Sequence, residues 1–106
     1  MEEEKIQEIA FEIILYSGDA RTLIHESFQS MREEAFSEAE EKLETANEAL
    51  IKAHKVQTSL LQNYANGEKI VMDVIMVHAQ DHLMTTMTLR EMALEMLLLY
   101  KKIHKD

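Results

Sequence analysis

Apolar residues recur along the chain with helical spacing, in three segments of different character. In the first, Ile6, Ile9, Ile13, Ala20, Leu23, Ile24, Phe28 and Met31 follow one another at steps of three, four or their sums, which puts them on one face of an α-helix. Ser17-Gly18-Asp19 interrupts this stripe. A glycine inside a helix costs about 1 kcal/mol relative to alanine, and aspartate readily caps a restarted turn, so a kink or short break is predicted there. Close approach of the Gly18 backbone to a neighbouring element is the other reading of that glycine.

A second helix is expected from Ser37, because Ser37 followed by Glu40 fits the capping box, in which hydroxyl and carboxylate each satisfy a free backbone N–H. Ala39, Leu43, Ala46, Leu50, Ala53, Val56, Leu60 and Tyr64 then step by three or four. Only 12 of the 29 residues from Ser37 to Ala65 are apolar, so one side packs and the other faces water. Asn66-Gly67 supplies the stop, with Gly67 free to take the left-handed conformation that ends a helix.

The third segment, Ile70 to Tyr100, has 20 apolar residues among 31, spread around the helix rather than confined to a stripe. A helix that is apolar on all sides is buried on all sides, and two neighbours from one chain cover only part of it. The pattern therefore predicts a symmetric homo-oligomer with this helix central. Six of the eight methionines lie here, Met72, Met76, Met84, Met87, Met92 and Met96, and read as packing residues that fill irregular contacts.

Composition narrows the picture. The 106 residues include two glycines and no proline, too few turn residues for a strand protein of this length. A single all-α domain over 1–106, an antiparallel bundle of three helices, is the expected fold. There is no cysteine, which excludes a disulfide framework, a thiolate nucleophile and a cysteine zinc site. A net charge of −9 with only 11 basic residues is not the footprint of a nucleic-acid binder. The start, Met1-Glu2-Glu3-Glu4-Lys5, does not read as a signal peptide, and no uncharged run is long enough to span a membrane, so a cytoplasmic protein is expected. Most of the acid lies early: residues 1–48 hold 14 acids and 4 bases, residues 49–106 hold 6 acids and 7 bases. Glu2 to Glu4 at one helix start and Lys101, Lys102 and Lys105 at another's end complement helix dipoles. Glu38-Ala39-Glu40-Glu41 reads as a solvated face, with docking of a basic partner as its alternative.

Of the five histidines, His25, His54 and His104 stand alone and read as surface or boundary residues. His78 and His82 are four apart, one turn from each other on one helix face. They lie with Gln80 and Asp81 in an otherwise apolar segment, where polar side chains need partners. His78, Asp81 and His82 on one helix converge awkwardly on a zinc ion. No histidine has glutamate three residues before it, which excludes a di-iron carboxylate bundle, and no Gly-x-Ser-x-Gly marks a serine hydrolase. What remains is histidine as a nucleophile toward phosphorus, against a satisfied interfacial histidine pair. On an oligomer axis the seam Val74, Val77, Asp81, Met84 and Thr88 would bring copies of Asp81 together, which must then share protons, admit water or bind a hard cation such as Mg²⁺ or Ca²⁺.

The segment Val77-His78-Ala79-Gln80-Asp81-His82-Leu83-Met84-Thr85 resembles the signature of the lactose/cellobiose-type enzyme IIA of the bacterial phosphoenolpyruvate-dependent sugar phosphotransferase system. Gly18-Asp19-Ala20-Arg21 and the Ala-Asn-Gly-Glu stretch before the third helix are similar to that family too, and the likeness covers essentially the whole chain. It implies a homotrimer of three-helix chains in which His78 takes a phosphoryl group, as tele-phosphohistidine, from the phosphocarrier HPr. It further implies transfer to a cysteine of the cognate enzyme IIB, which works with membrane-bound IIC, and no direct contact with sugar. Asp81 matches the position of a metal ion on the trimer axis, Mg²⁺ or another hard divalent cation. Gln80 and His82 match residues that orient the active histidine or contact the phosphoryl oxygens. Exposed apolar residues around His78, Val71 and Ile75 among them, are expected to form a rim for docking. The rival readings are a structural helical-bundle oligomer, or a metal-binding one using the same cluster, with no phosphotransfer.

Overall fold

The computed structural model describes residues 1–104, which form three α-helices and, among the described residues, no strand. They are α1 (Glu3–Arg32), α2 (Phe36–Ala65) and α3 (Val74–Ile103), each of 30 residues. Thirty residues make a helix of about 45 Å, and the molecule is a rod of 58 × 20 × 18 Å. Lys105 lies outside the described residues. The Met1 amino group, ahead of α1, donates to the Lys69 carbonyl beyond the end of α2 at 2.8 Å, and Lys42 near the start of α2 reaches Glu26 near the end of α1 at 3.9 Å. Gln57 of α2 donates to Gln80 of α3, and Arg90 further along α3 donates to the Leu43 carbonyl back near the start of α2. Each connection therefore turns the chain back along the previous helix.

Both connections begin with the same device. After α1 the Ala35 N–H reaches the Ser30 carbonyl at 2.8 Å and the Glu34 N–H the Met31 carbonyl at 3.1 Å. After α2 the Glu68 N–H reaches Asn63 at 3.0 Å and the Gly67 N–H reaches Tyr64 at 3.1 Å. These are the paired bonds of the Schellman motif, which needs one left-handed residue. Gly67 supplies it at φ 93°, as the sequence predicts; Glu34 supplies it at φ 62° with no glycine to announce it.

Two expected boundaries move and one expected break is absent. The N-cap of α2 is Ala35, with no side-chain cap bond, so Ser37 lies inside the helix and the Ser37/Glu40 capping box is not used. The tight turn at Glu34 restarts the helix before Ser37 is reached. The third helix starts at Val74, not Ile70, because the Asp73 carboxylate accepts from the Met76 N–H at 2.9 Å and caps it there. No break occurs at Gly18: α1 is continuous through Ser17-Gly18-Asp19, and Asp19 caps nothing.

The core is a column of closely spaced small and branched residues. α1 contributes Ile6, Ala10, Ile13, Ala20, Ile24 and Met31; α2 contributes Ala39, Leu43, Ala46, Leu50, Ala53 and Leu60; α3 contributes Met76, Ala79, Leu83, Ala93 and Leu97. Alanine at so many inward positions lets the helix backbones approach closely. Polar residues enter the column too, with Ser17, Ser27 and Thr86 fully buried and Gln57 nearly so, while Val56 is half-buried and Tyr64 exposed. The Ser17 hydroxyl has no hydrogen-bond partner.

Candidate functional site

α3 turns one face inward, through Met76, Ala79, Leu83 and Thr86, and leaves another outward, through Val74, Val77, Asp81, Met84 and Thr88. Val74 is 84% exposed, and Met92, Leu98, Leu99 and Ile103 continue the uncovered apolar surface toward the far end. In one chain α3 is thus not buried on all sides; its apolar excess faces out.

His78 lies on the second turn after the Asp73 cap and is exposed; His82, one turn on, is half-buried. Their rings are nearly parallel, with centroids 5.9 Å apart and planes 8° apart. His82 is therefore the backing against which the His78 imidazole stands. Burial lowers the His82 pKa from its ordinary value, the Arg21 guanidinium and His78 lower it further, and Asp81 pulls the other way. At neutral pH the ring is held toward its uncharged form, with one nitrogen donating and the other accepting.

Two residues of α1 meet this part of α3. A Cβ built on Gly18 would stand 3.9 Å from His82 Nε2, so the glycine occupies a position where α1 passes close to the histidine. Alanine would meet the ring at ordinary contact distance, whereas a longer side chain would displace it. One turn further along α1, Arg21 donates from Nε to Thr86 Oγ1 at 3.0 Å and from Nη2 to Thr85 Oγ1 at 2.7 Å. The two hydroxyls donate in turn, Thr86 to the His82 carbonyl at 2.6 Å and Thr85 to the Asp81 carbonyl at 2.7 Å.

Gln80 points elsewhere. Two residues on from His78 it lies roughly 200° around the helix, where it accepts from Gln57 and donates to the Met76 sulfur at 3.5 Å. The structure thus brings His78 and His82 together, with Asp81 beside them, and engages Gln80 with α2. Of the expected rim, Val71 is exposed, but Ile75 is half-buried against the core. Starting the helix at Val74 turns Ile75 inward.

Asp81 is exposed on the outward seam between Val77 and Met84. Its carboxylate suits a hard cation, but a single chain supplies one such ligand, and no cluster of three metal-binding side chains exists among the described residues. Of the remaining histidines, His25 is exposed and meets Phe28 edge-on at 6.1 Å, and His54 is exposed. His104 has an acidic partner that sequence spacing does not reveal, Glu34, at 2.7 Å. Gln57 is a neighbour of the site that the sequence does not single out, and Arg21 enters the sequence reading only within the Gly18-Asp19-Ala20-Arg21 likeness, with no role attached.

A model of the lactose/cellobiose-specific IIA subunit of the phosphotransferase system matches residues 8–101. The chain belongs to this family of sugar phosphotransferase components. It is 47% identical to the lichenan-specific phosphotransferase enzyme IIA component of Bacillus subtilis, over 94% of this chain and 91% of that one. Its structure is similar to the crystal structure of PtcA from S. mutans, with a TM-score of 0.94 and 61% identity over 95% and 99% of the two chains. It is also similar to IIA(Chitobiose) of the Escherichia coli N,N'-diacetylchitobiose branch, whose solution structure is a complex with HPr. There the TM-score is 0.82 at 33% identity, over 99% and 100% of the chains. No described helix is long and apolar enough to cross a membrane.

Proposed function

We propose that this chain is the phosphohistidine carrier of a cytoplasmic sugar phosphotransfer relay, with His78 as acceptor. It takes the phosphoryl group from phospho-HPr and gives it to a cysteine of the cognate enzyme IIB, which acts with IIC in uptake of a β-linked disaccharide such as cellobiose or lactose. The observation that carries this reading is an exposed His78 imidazole stacked on His82 in a chain of the IIA family. The HPr complex of the chitobiose relative supports the choice of donor.

In the first step the Nε2 lone pair of His78 attacks phosphorus while the bond to the donor breaks and its electron pair returns to the donor. In the second, a IIB thiolate attacks the same phosphorus, an S–P bond forms and the N–P bond breaks. Such transfers depend on in-line placement and charge compensation more than on covalent help from the protein. Parallel stacking on His82 restricts the swing of the His78 ring. The phosphoryl group adds about −2 charge, which neutral His82 meets as a hydrogen-bond donor. Gln80 takes a supporting part through its packing of α3 against α2.

The working state is a homotrimer packed on the outward face of α3, an arrangement favoured by the large apolar side chains that one chain leaves uncovered. Three copies of Asp81 would then hold Mg²⁺ or another hard divalent cation, which when bound neutralises carboxylates that repel one another.

Incubation with phosphoenolpyruvate, enzyme I and HPr should produce an acid-labile phosphohistidine, seen by phosphorus NMR, in wild type and not in His78→Gln. Equal labelling of the variant, or none of wild type, refutes the reading. Light scattering should give three times the chain mass of 12.3 kDa, and a clean monomer refutes the trimer.

A further inference from the structure

We infer that Arg21 is a positioning residue for phosphoryl transfer at His78, acting through Thr85 and Thr86 on the turn that carries Asp81 and His82. This deepens the carrier reading and rests on it. Among the described residues, Arg21 provides the hydrogen bonds that cross between α1 and α3, and both land on this turn. The guanidinium uses two donors in a fixed fork, on two neighbouring hydroxyls, a geometry that a lysine ammonium does not reproduce. Each hydroxyl spends its own proton on a carbonyl of α3, that of His82 for Thr86 and that of Asp81 for Thr85. A threonine that donates to a carbonyl one turn back is polarised when its oxygen accepts from a cation, so the bonds in each chain strengthen one another.

The result is a clamp on the backbone just where His82 leaves it. Gly18 lies three residues before Arg21, where a built Cβ would stand 3.9 Å from His82 Nε2, so α1 passes close to the ring's tip. The His82 ring is thus fixed at its root by Arg21 through Thr86 and bounded at its tip by α1. Because His78 lies parallel to that ring, its orientation depends on a residue 57 positions earlier that need not touch the phosphoryl group. In-line transfer is sensitive to placement, and an error of about 1 Å can cost a hundredfold in rate.

The test compares wild type, Arg21→Met, Arg21→Lys and Thr86→Val in single-turnover transfer from phospho-HPr, with folding and oligomeric mass checked by circular dichroism and light scattering. Arg21→Met should slow transfer by about tenfold or more in chains that remain folded and assembled. Arg21→Lys should recover only part of the rate, and Thr86→Val should slow transfer while leaving Arg21 in place. Combining Arg21→Met with Thr86→Val should add little to the larger single effect, because both break one chain of bonds. NMR of ring-labelled histidine should show the His78–His82 ring contact weakened in each slowed variant, a signature that general destabilisation of the bundle does not give. Transfer within twofold of wild type in Arg21→Met, or in Thr86→Val if the arginine variants do not fold, overturns the inference. So do additive effects or an unchanged ring contact. Failure of wild type to accept phosphoryl overturns the carrier reading instead, and the two outcomes are distinct.

Discussion

The two long contacts of α3 differ in where they place their polar bonds. Toward α1, those bonds come from Arg21 and converge on Thr85 and Thr86, beside the histidines. Toward α2 they are spread along the helix: Gln57 to Gln80, Arg90 to the Leu43 carbonyl at 2.9 Å, and Lys101 to Glu40 at 3.3 Å. The difference teaches that a bundle can separate two duties along one helix. In the proposed relay one seam holds the histidines in place, and the other distributes modest stabilisation over the length of the rod. The Lys101 pair, exposed on both sides, is of the kind worth at most about 1 kcal/mol.

The comparison breaks if core packing governs both seams alike. Leu83 is fully buried on the inward face of α3 between them, so Leu83→Ala should cost about 2–5 kcal/mol by loss of burial and a residual cavity. Urea denaturation measures this, and a loss under about 1 kcal/mol would show that the column repacks freely. Arg90→Met sharpens the contrast. It removes one hydrogen bond and a partly exposed pair to Glu44 at 3.6 Å, for about 1 kcal/mol, and should leave phosphoryl transfer per folded chain unchanged. A rate loss matching that of Arg21→Met would erase the distinction between the seams.

The smallest effect is that of pH. The folded-state pKa of His82 lies below its ordinary value of 6.5, chiefly through burial and then Arg21. The unfolded chain therefore binds the proton first on acidification. The contribution of His82 to stability is full above pH 6.5 and falls as pH drops from there through the folded-state pKa. Urea midpoints of wild type and His82→Gln should diverge at neutral pH and draw together in acid. Parallel curves would mean that the α1 seam does not hold His82 as described.

The three helices, the inward stripes of the first two, the Asn66-Gly67 stop and the pairing of His78 with His82 were legible because each depends on residues within a turn or two of one another. Residues that depend on distant partners were not. Val71 and Met72 look like the opening of an apolar helix until Asp73 is seen to cap it, and Val56 fits the heptad better than Gln57, yet Gln57 is the one buried. Gln57 reads as surface in sequence because its partner, Gln80, lies on another helix. Arg21 stands 64 residues from Thr85, and no local pattern marks a guanidinium that reaches across the bundle. Glu34 shows the same limit at a turn, since nothing in its residue type announces a left-handed backbone.

The proposed acceptor, His78, is exposed on the single chain, a rod 58 Å long and 20 Å wide. A charge held on an outer wall is open to whichever protein arrives, and a donor and a recipient that both need the same imidazole must take turns. In the proposed relay, throughput would then be limited by how quickly each visitor leaves, and an excess of either one would jam the queue for the other.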